Sequence, residues 1–567
     1  MKISSTLLHA ACIVAITGTL SNTWAADSIP NSAQPGRVEQ EFKTLRVPKS
    51  NAKAFVPGQR DLVAPAGADK TIFRLNQLQF EGVTAFDTAD LVNEFKEFTE
   101  RDISLVDLYA IANRVTVYYR NKGYVLSQAV VPEQEIDDRG IATIQVIEGY
   151  INKITVNGIS EKKQQRILKV TDRIRQSRPL SARDLERYLL ILNDFGGVNF
   201  SATLSPSDEV GAADILLNVS KTKVNASVTL ENRGTDIIGP ERLTGQFTVN
   251  DLLGRFDSND LTVISTGNSE LSYLSIKNET PVGRSGWRFS NALSASNSKP
   301  GGELEILEIE NDSTTFTTGA EYPLIRSRVR NLSIRGELDI YNSESIRLAS
   351  AEGSESLATK DKIRSLRLGL VFDNIDQYRG VNLIDIELSQ GLGILSASEL
   401  GDSGLSRELG DPEYTKLHFY AARLQSIVPN FSALLALNAQ YSNDNLLSSE
   451  QFGIGGKNFG AAFDSSEIIG DSGIAGRIEL RYSRSLQKSI VKSIVGYTFI
   501  DGGEIKRNAP SLGQQDKESL SSYGIGLRYR LGEHLAGYLE YALPNNRDVA
   551  SEGNDDGRFF FSLKSSL

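Results

Sequence analysis

The chain's 567 residues exceed what one compact domain holds. Setting aside an N-terminal leader that contains Lys2, 60 basic residues face 71 acidic ones, a formal charge of −11 that argues against nucleic acid as a partner. The single cysteine, Cys12, sits in that leader and only His418 and His534 lie beyond it, so no thiolate or histidine set for a metal is at hand; without a GxxxxGKS/T, HExxH or GxSxG stretch, the sequence indicates no enzyme and no cofactor.

Residues 1–25 read as a signal peptide: Lys2 supplies the positive start, Leu7 to Leu20 a short apolar run, and Thr23-Trp24-Ala25 a small-residue cleavage site before Ala26. The run is too short to span a bilayer. Residues 26–46 form an N-terminal segment. Within it, 33–46 read as an amphipathic helix opened by Pro35, with Val38, Phe42 and Leu45 near helical spacing. Residues 47–70 carry Pro, Gly, Ala and charge without periodicity and read as a linker.

Residues 71–149 read as a small α/β module. The stretch 73–83 alternates like a strand, and 88–98 and 105–122 read as helices, the second capped by Ser104 and ended by Gly123. YVLSQAVVP and IATIQVIEG follow as strands. Residues 150–221 repeat the order: strand INKITVNGI, helices EKKQQRILKVTDRI and SARDLERYLLILNDF, then strands FSATLSP and AADILLNVS, with Ser181 expected to cap the second helix.

From residue 222 to 567 the text is different. Leu243, Gly245, Phe247 and Val249 alternate without a miss against Thr244, Gln246, Thr248 and Asn250. Fifteen such segments can be marked, from 225–231 to 558–567, with 287–295 followed next by 329–341. Alternating segments of about ten residues, with short turns and longer loops between them, predict a transmembrane β-barrel of about 16 antiparallel strands. A soluble solenoid or sandwich is the alternative; it fits less well, because the inward faces are too polar for a dry core.

One loop stands out. Residues 450–473, EQFGIGGKNFGAAFDSSEIIGDSG, hold six glycines between strand-like FSALLALNAQYS and IAGRIELRYS. Glycines at that density suggest tight turns or close backbone approach, and a long structured loop of this kind usually carries function. An Ω-loop that only caps the sheet is the plainer reading.

The sequence resembles the two-partner secretion transporters, the haemolysin activator or TpsB proteins of the BamA-like outer-membrane superfamily. Tyr118-Tyr119-Arg120-Asn121-Lys122-Gly123-Tyr124-Val125 is similar to the family's motif at the end of the second helix of its first POTRA domain. Pro132-Glu133-Gln134 and Val146-Ile147-Glu148-Gly149-Tyr150 resemble its next signatures. Arg183-Asp184-Leu185-Glu186-Arg187, Leu192-Asn193-Asp194 and Gly196-Gly197-Val198 resemble the second POTRA domain, with Gly196 in place of a Pro. Asn232-Arg233-Gly234 resembles the end of the first barrel strand.

The resemblance implies two periplasmic POTRA domains, an outer-membrane barrel, and a loop folded back into the pore. In the family, a loop-tip Arg in a Val-Arg-Gly-Phe/Tyr motif contacts an Asp in a Phe-x-Asp-x-Gly strand motif. The strand motif is present as Phe499, Asp501 and Gly503. The loop motif is not intact: Gly455, Gly456, Lys457, Phe459, Gly460, Ala461, Phe463, Asp464, Gly470 and Asp471 align with it, but Ala461 stands where the Arg belongs. Lys457, four residues before Ala461, is the first candidate for a substitute cation beside Asp501; Arg477 is the other.

The resemblance further implies recognition of a large unfolded TpsA-like partner and its export without ATP, a helix that plugs the barrel at rest, insertion by the barrel assembly machinery, and contact with outer-membrane lipid. Tyr118, Tyr119, Tyr124, Pro132, Gln134 and Glu148 are the candidate client-binding residues. Aromatic residues at helical spacing are as often core, which is the plain reading of Tyr118 and Tyr119. A BamA- or TamA-like insertase would predict more than two POTRA repeats; a passive porin or adhesin would need none.

Overall fold

The structure, a computed structural model, describes residues 31, 34, 36–42, 61–347, 358–486, 490–511 and 513–567. Among them, sixteen antiparallel strands from Val224–Glu231 to Arg558–Ser566 close into a barrel, each beside its neighbours in sequence. The alternation in the text becomes two faces. On Ser472–Ser485, Ile474, Ile478, Leu480 and Tyr482 point outward and are exposed, while Ala475, Arg477 and Glu479 are buried inside. An outward apolar face and an inward polar one match a wall between lipid and a wet lumen.

The strand without an alternating signature is Ile309–Arg326. Its outer half, IENDSTTFTT, is polar on both faces, and its register shifts between Pro323 and Ile325, so period-two hydrophobicity is lost at both ends. The barrel closes over a short lap: Ser562 to Ser566 pair with Glu231 to Ser227. The Asn232 side chain extends it, donating to the Phe559 carbonyl at 2.9 Å and accepting from the Phe561 N–H at 2.7 Å.

Two α/β modules precede the barrel. In the first, Gln77–Glu81 pairs in parallel with Ile141–Ile147, which pairs on its other side with Gln128–Val130. The expected single strand 73–83 is two pieces, since Ile72–Leu75 turns aside to pair with Arg101–Ser104. Helix α3 (Leu105–Asn121) follows the short α2 (Thr88–Glu94) and opens on a capping box between Ser104 and Asp107. Leu108, Ile111, Val115 and Tyr119 bury one face of α3 against Leu78, Ile144 and Val146. The second module sets α4 (Glu161–Gln176) and α5 (Ala182–Asn193) on a sheet ordered Tyr150–Asn157, Ala212–Lys221, Val198–Pro206. The Ser181 side chain makes no cap bond; its N–H donates to Ser177 Oγ at 3.0 Å, which ties it to the preceding turn.

Helix α5 is pinned to the rim of the barrel that faces the two modules. Arg326 forks onto Asp194 at 2.7 and 2.9 Å, Arg187 donates to the Pro323 and Leu324 carbonyls, and the Arg328 N–H donates to Glu186. Lys163 of α4 pairs with Asp251 in the turn after the second barrel strand.

The N-terminal helix is shorter than the expected 33–46: α1 spans Arg37–Glu41 inside the barrel. Residues 43–60, with Leu45 and most of the linker, lie outside the described residues, as do Pro35 and the signal peptide. Glu41 pairs with Arg242 at 2.5 Å, Phe42 packs on Tyr273 with ring centroids 5.1 Å apart, and Arg37, 1% exposed, donates to the Gln451 carbonyl at 3.0 Å.

Candidate functional site

Residues 450–473 lie inside the barrel, packed against inward-facing side chains of its wall. Their two ends form a small hairpin, Phe452–Ile454 against Ile468–Gly470, that continues the paired character of the flanking strands in miniature. Glu450 anchors its entry through Arg367 at 2.8 Å and Lys416 at 2.7 Å. Asp471, fully buried, anchors its exit: it pairs with Arg407 at 2.5 Å and accepts from the N–H groups of Leu446 and Asn508. Charge-assisted bonds of this kind, taken out of water, hold an irregular segment where apolar packing alone would not.

The tip is a sequence of tight turns. Gly455 has φ 129° and Gly460 φ 81°, and a Cβ on Gly460 would come 2.6 Å from Leu520 Cδ1, so glycine is required at both. The Gly455 N–H donates to the Phe459 carbonyl, the Gly456 N–H to that of Phe463, and the Phe463 N–H to that of Gly460. Phe459, Ala461 and Phe463 are buried in one apolar cluster with Phe499, Leu520 and Ile454. Gly503, opposite Ala475, leaves the space that Ile454 fills.

Asp501 meets this tip. The Ala461 N–H donates to Asp501 Oδ1 at 3.2 Å, and Ser522 Oγ donates to the same oxygen. The cation is Arg477, which donates to Asp501 Oδ2 at 2.7 Å and lies 4.0 Å over the Phe499 ring. Lys457 is not the partner. Its side chain is exposed and sits 5.3 Å over the Tyr538 ring, because the turn at Gly455–Gly456 directs it away from Asp501. The reason for the correction lies in the ladder. Arg477 and Asp501 are directly opposed on adjacent strands, both on the inward face, and a cross-strand pair needs no loop to assemble it.

The missing loop Arg is thus answered twice, by a wall Arg and by a main-chain N–H. A third contact was not foreseen. Arg233, at the end of the first barrel strand, donates to the Ala461 carbonyl at 2.8 Å, pairs with Glu540, and lies 3.7 Å over the Phe560 ring. Arg558 donates to the Ala462 carbonyl at 3.1 Å and pairs with Asp464 at 2.9 Å. Arg558 has inward parity on its strand, and Arg233, two residues past Val224–Glu231, continues the inward parity of Glu231; parity alone does not say what a side chain reaches.

The first module's candidate residues are mostly used within the module. Tyr119 is fully buried and donates to Glu148 Oε1 at 2.9 Å. Tyr118, Tyr119 and Tyr124 surround the Phe86 ring, with centroids 5.4, 4.9 and 5.4 Å away. Glu148 also accepts from the Thr84 and Ala85 N–H groups at 2.8 and 2.9 Å and from the Thr84 hydroxyl. Burial raises its carboxyl pKa, but these hydrogen bonds outweigh it and hold the carboxyl below its ordinary value. Gln134 stands in for a strand: its carboxamide accepts from the Thr143 N–H at 2.7 Å and donates to the Thr143 carbonyl at 2.8 Å, and it also reaches the Pro132 carbonyl. Tyr118, Tyr124 and Pro132 remain partly exposed.

The family model for haemolysin secretion/activation proteins ShlB/FhaC/HecB matches residues 211–529, more than half of the chain. The chain belongs to this family. A POTRA domain model of ShlB type matches residues 73–149 of the transporter. It is 25% identical over 485 residues to the heme/hemopexin transporter protein HuxB of Haemophilus influenzae strain 86-028NP, with 84% of each chain covered. It is 23% identical over 511 residues to the outer membrane transporter CdiB of Dickeya dadantii strain 3937, with 87% of each covered. CdiB from Escherichia coli shares the fold, with a TM-score of 0.72 at 20% identity over 89% of this chain and 92% of that one. The transporter is an outer-membrane β-barrel of two-partner secretion, with its POTRA domains in the periplasm.

Proposed function

We propose that the transporter captures a large unfolded TpsA-like exoprotein in the periplasm and passes it through the lumen without ATP. The observation that carries this reading is an open sheet edge. Gln77–Glu81 pairs with Ile141–Ile147 on one side, and among the described residues no strand pairs with its other side. Such an edge takes an extended chain by main-chain hydrogen bonds, with little demand on its side chains, which suits a client that must stay unfolded. Tyr118, Tyr124 and Pro132 would flank the captured strand, with Tyr119, Glu148 and Gln134 holding the module's shape. The drive is the client's own folding outside the cell. The barrel assembly machinery inserts the barrel, and the N-terminal helix and the loop must leave the lumen for passage.

Removing residues 71–149 is expected to abolish client secretion while a heat-modifiable barrel persists in the outer membrane, measured by client in the culture medium and by gel shift. Unchanged secretion by the truncated protein would overturn the assignment of capture to this module.

A further inference from the structure

The barrel's outer face is not uniformly ridged. Five neighbouring strands place Ala421, Leu437, Gly476, Gly502 and Ser521 in one row of the register, all on the outward side. The next row toward the periplasm carries exposed Leu435, Ile478 and Ile500. Four of the five are small, Leu437 being the exception, and beside larger neighbours they line a hollow of about 720 Å³ on the outer face. Four strand spacings make it roughly 19 Å long. Its ends differ in height. Ala421 lies seven residues from the periplasmic end of Thr415–Val428, while Ser521 lies ten residues from the periplasmic end of Lys517–Leu531 and four from its outer end. The hollow therefore climbs obliquely from the periplasmic side into the bilayer.

At the lower end the wall turns polar on the same outward face. Arg330, Asn374, Asn382 and Arg423 are successive partners in one row. Asp376, in the turn below, holds Arg423 at 2.6 Å, and Asn382 accepts from the same nitrogen at 2.6 Å. Gly380 makes room for the guanidinium, which a Cβ there would strike. Arg330 and Arg379 are exposed, and no carboxylate among the described residues pairs with either. Three arginines and one aspartate leave an excess of positive charge at this rim of the outward face.

We infer that this hollow is a binding site for one phospholipid of the periplasmic leaflet. Its phosphate lies on the arginine row and one acyl chain runs up the floor of Ala421, Gly476 and Gly502. The direction of the hollow selects that leaflet, because chains of its lipids rise from the periplasmic rim as the hollow does. Bilayer and hollow are both apolar, so the chain is retained by close packing: a fitted floor touches it along its length, and a ridged wall would not. The site rests on the membrane placement of the barrel and is independent of how the client is captured.

The test is native mass spectrometry of the full-length protein, stripped of lipid in detergent. It is then titrated with phosphatidylglycerol, phosphatidylethanolamine or a diacylglycerol of the same chains. One phospholipid of either kind is expected to stay bound per chain, at least ten-fold more tightly than diacylglycerol. Gly476→Leu fills the floor, and its Cβ meets nothing nearer than the Ala436 carbonyl at 3.7 Å, so the fold tolerates it. It is expected to lower retention ten-fold or more with heat-modifiability intact. Arg423→Gln, and separately the pair Arg330→Gln and Arg379→Gln that spares the Asp376 contact, are expected to erase the preference over diacylglycerol. Equal retention by wild type and Gly476→Leu, or equal binding of phospholipid and diacylglycerol by wild type, would overturn the site.

Discussion

Arg477 carries more than its pair with Asp501. It also reaches Glu479 at 3.0 Å and stands 3.7 Å from Glu540, which in turn holds Arg233. Arg477→Ala would leave the Asp501 carboxylate buried without a cation, a change that costs about 3–5 kcal/mol where measured in other buried pairs. Asp501→Asn is milder, because Arg477 keeps its glutamates. In a double-mutant cycle on the temperature of the heat-modifiable gel shift, the double variant is expected to lose less than the sum of the singles. Ala461→Arg is expected to add nothing, since the Asp501 oxygens are already taken and Ala461 is fully buried. A gain in stability from Ala461→Arg would show that the Arg477 pair leaves room for a loop cation.

At the scale of elements, two segments lie inside the barrel and touch each other as well as the wall. The α1 helix leans on the loop through Arg37 to Gln451 and Gln40 to Ser449, and on the wall through Glu41 to Arg242. A barrel of 16 strands otherwise encloses an aqueous channel. Deleting residues 26–46 is expected to raise single-channel conductance in planar bilayers; equal conductance with and without the segment would mean that the loop alone seals the lumen. The barrel was legible in the text because lipid on one side and water on the other force a period of two, as in Leu243 to Asn250. Ile309–Arg326 escaped because that contrast fades in its polar outer half. The loop's presence was legible from its glycines. The counter-ion of Asp501 was not, since it depends on which residue of one strand faces which residue of the next, and register is a property of two strands and not of either sequence alone.

At the scale of the whole molecule, the second α/β module is fastened under the barrel by ion pairs between partly exposed groups, Arg326 with Asp194 and Arg328 with Glu186. Exposed pairs weaken with salt. Spin labels on α4 and on the turn 283–286 are therefore expected to report a broader distance distribution for Arg326→Ala combined with Arg187→Ala than for wild type, and broadening of the wild type itself at high ionic strength. A distribution unchanged in the double variant would mean that the Arg328–Glu186 and Lys163–Asp251 contacts suffice to fix the module.

The lap that closes the barrel has a mechanical consequence. A ring under outward load carries the same tension all the way round and parts where its joint is shortest. Here that joint is Ser562 to Ser566 on Ser227 to Glu231, lengthened by the carboxamide of Asn232. The neighbouring residue, Arg233, grips the tip of the inward loop. Strain that pulls the loop from its seat would thus be delivered first to the weakest stave, so releasing the loop and loosening the wall are one event and not two.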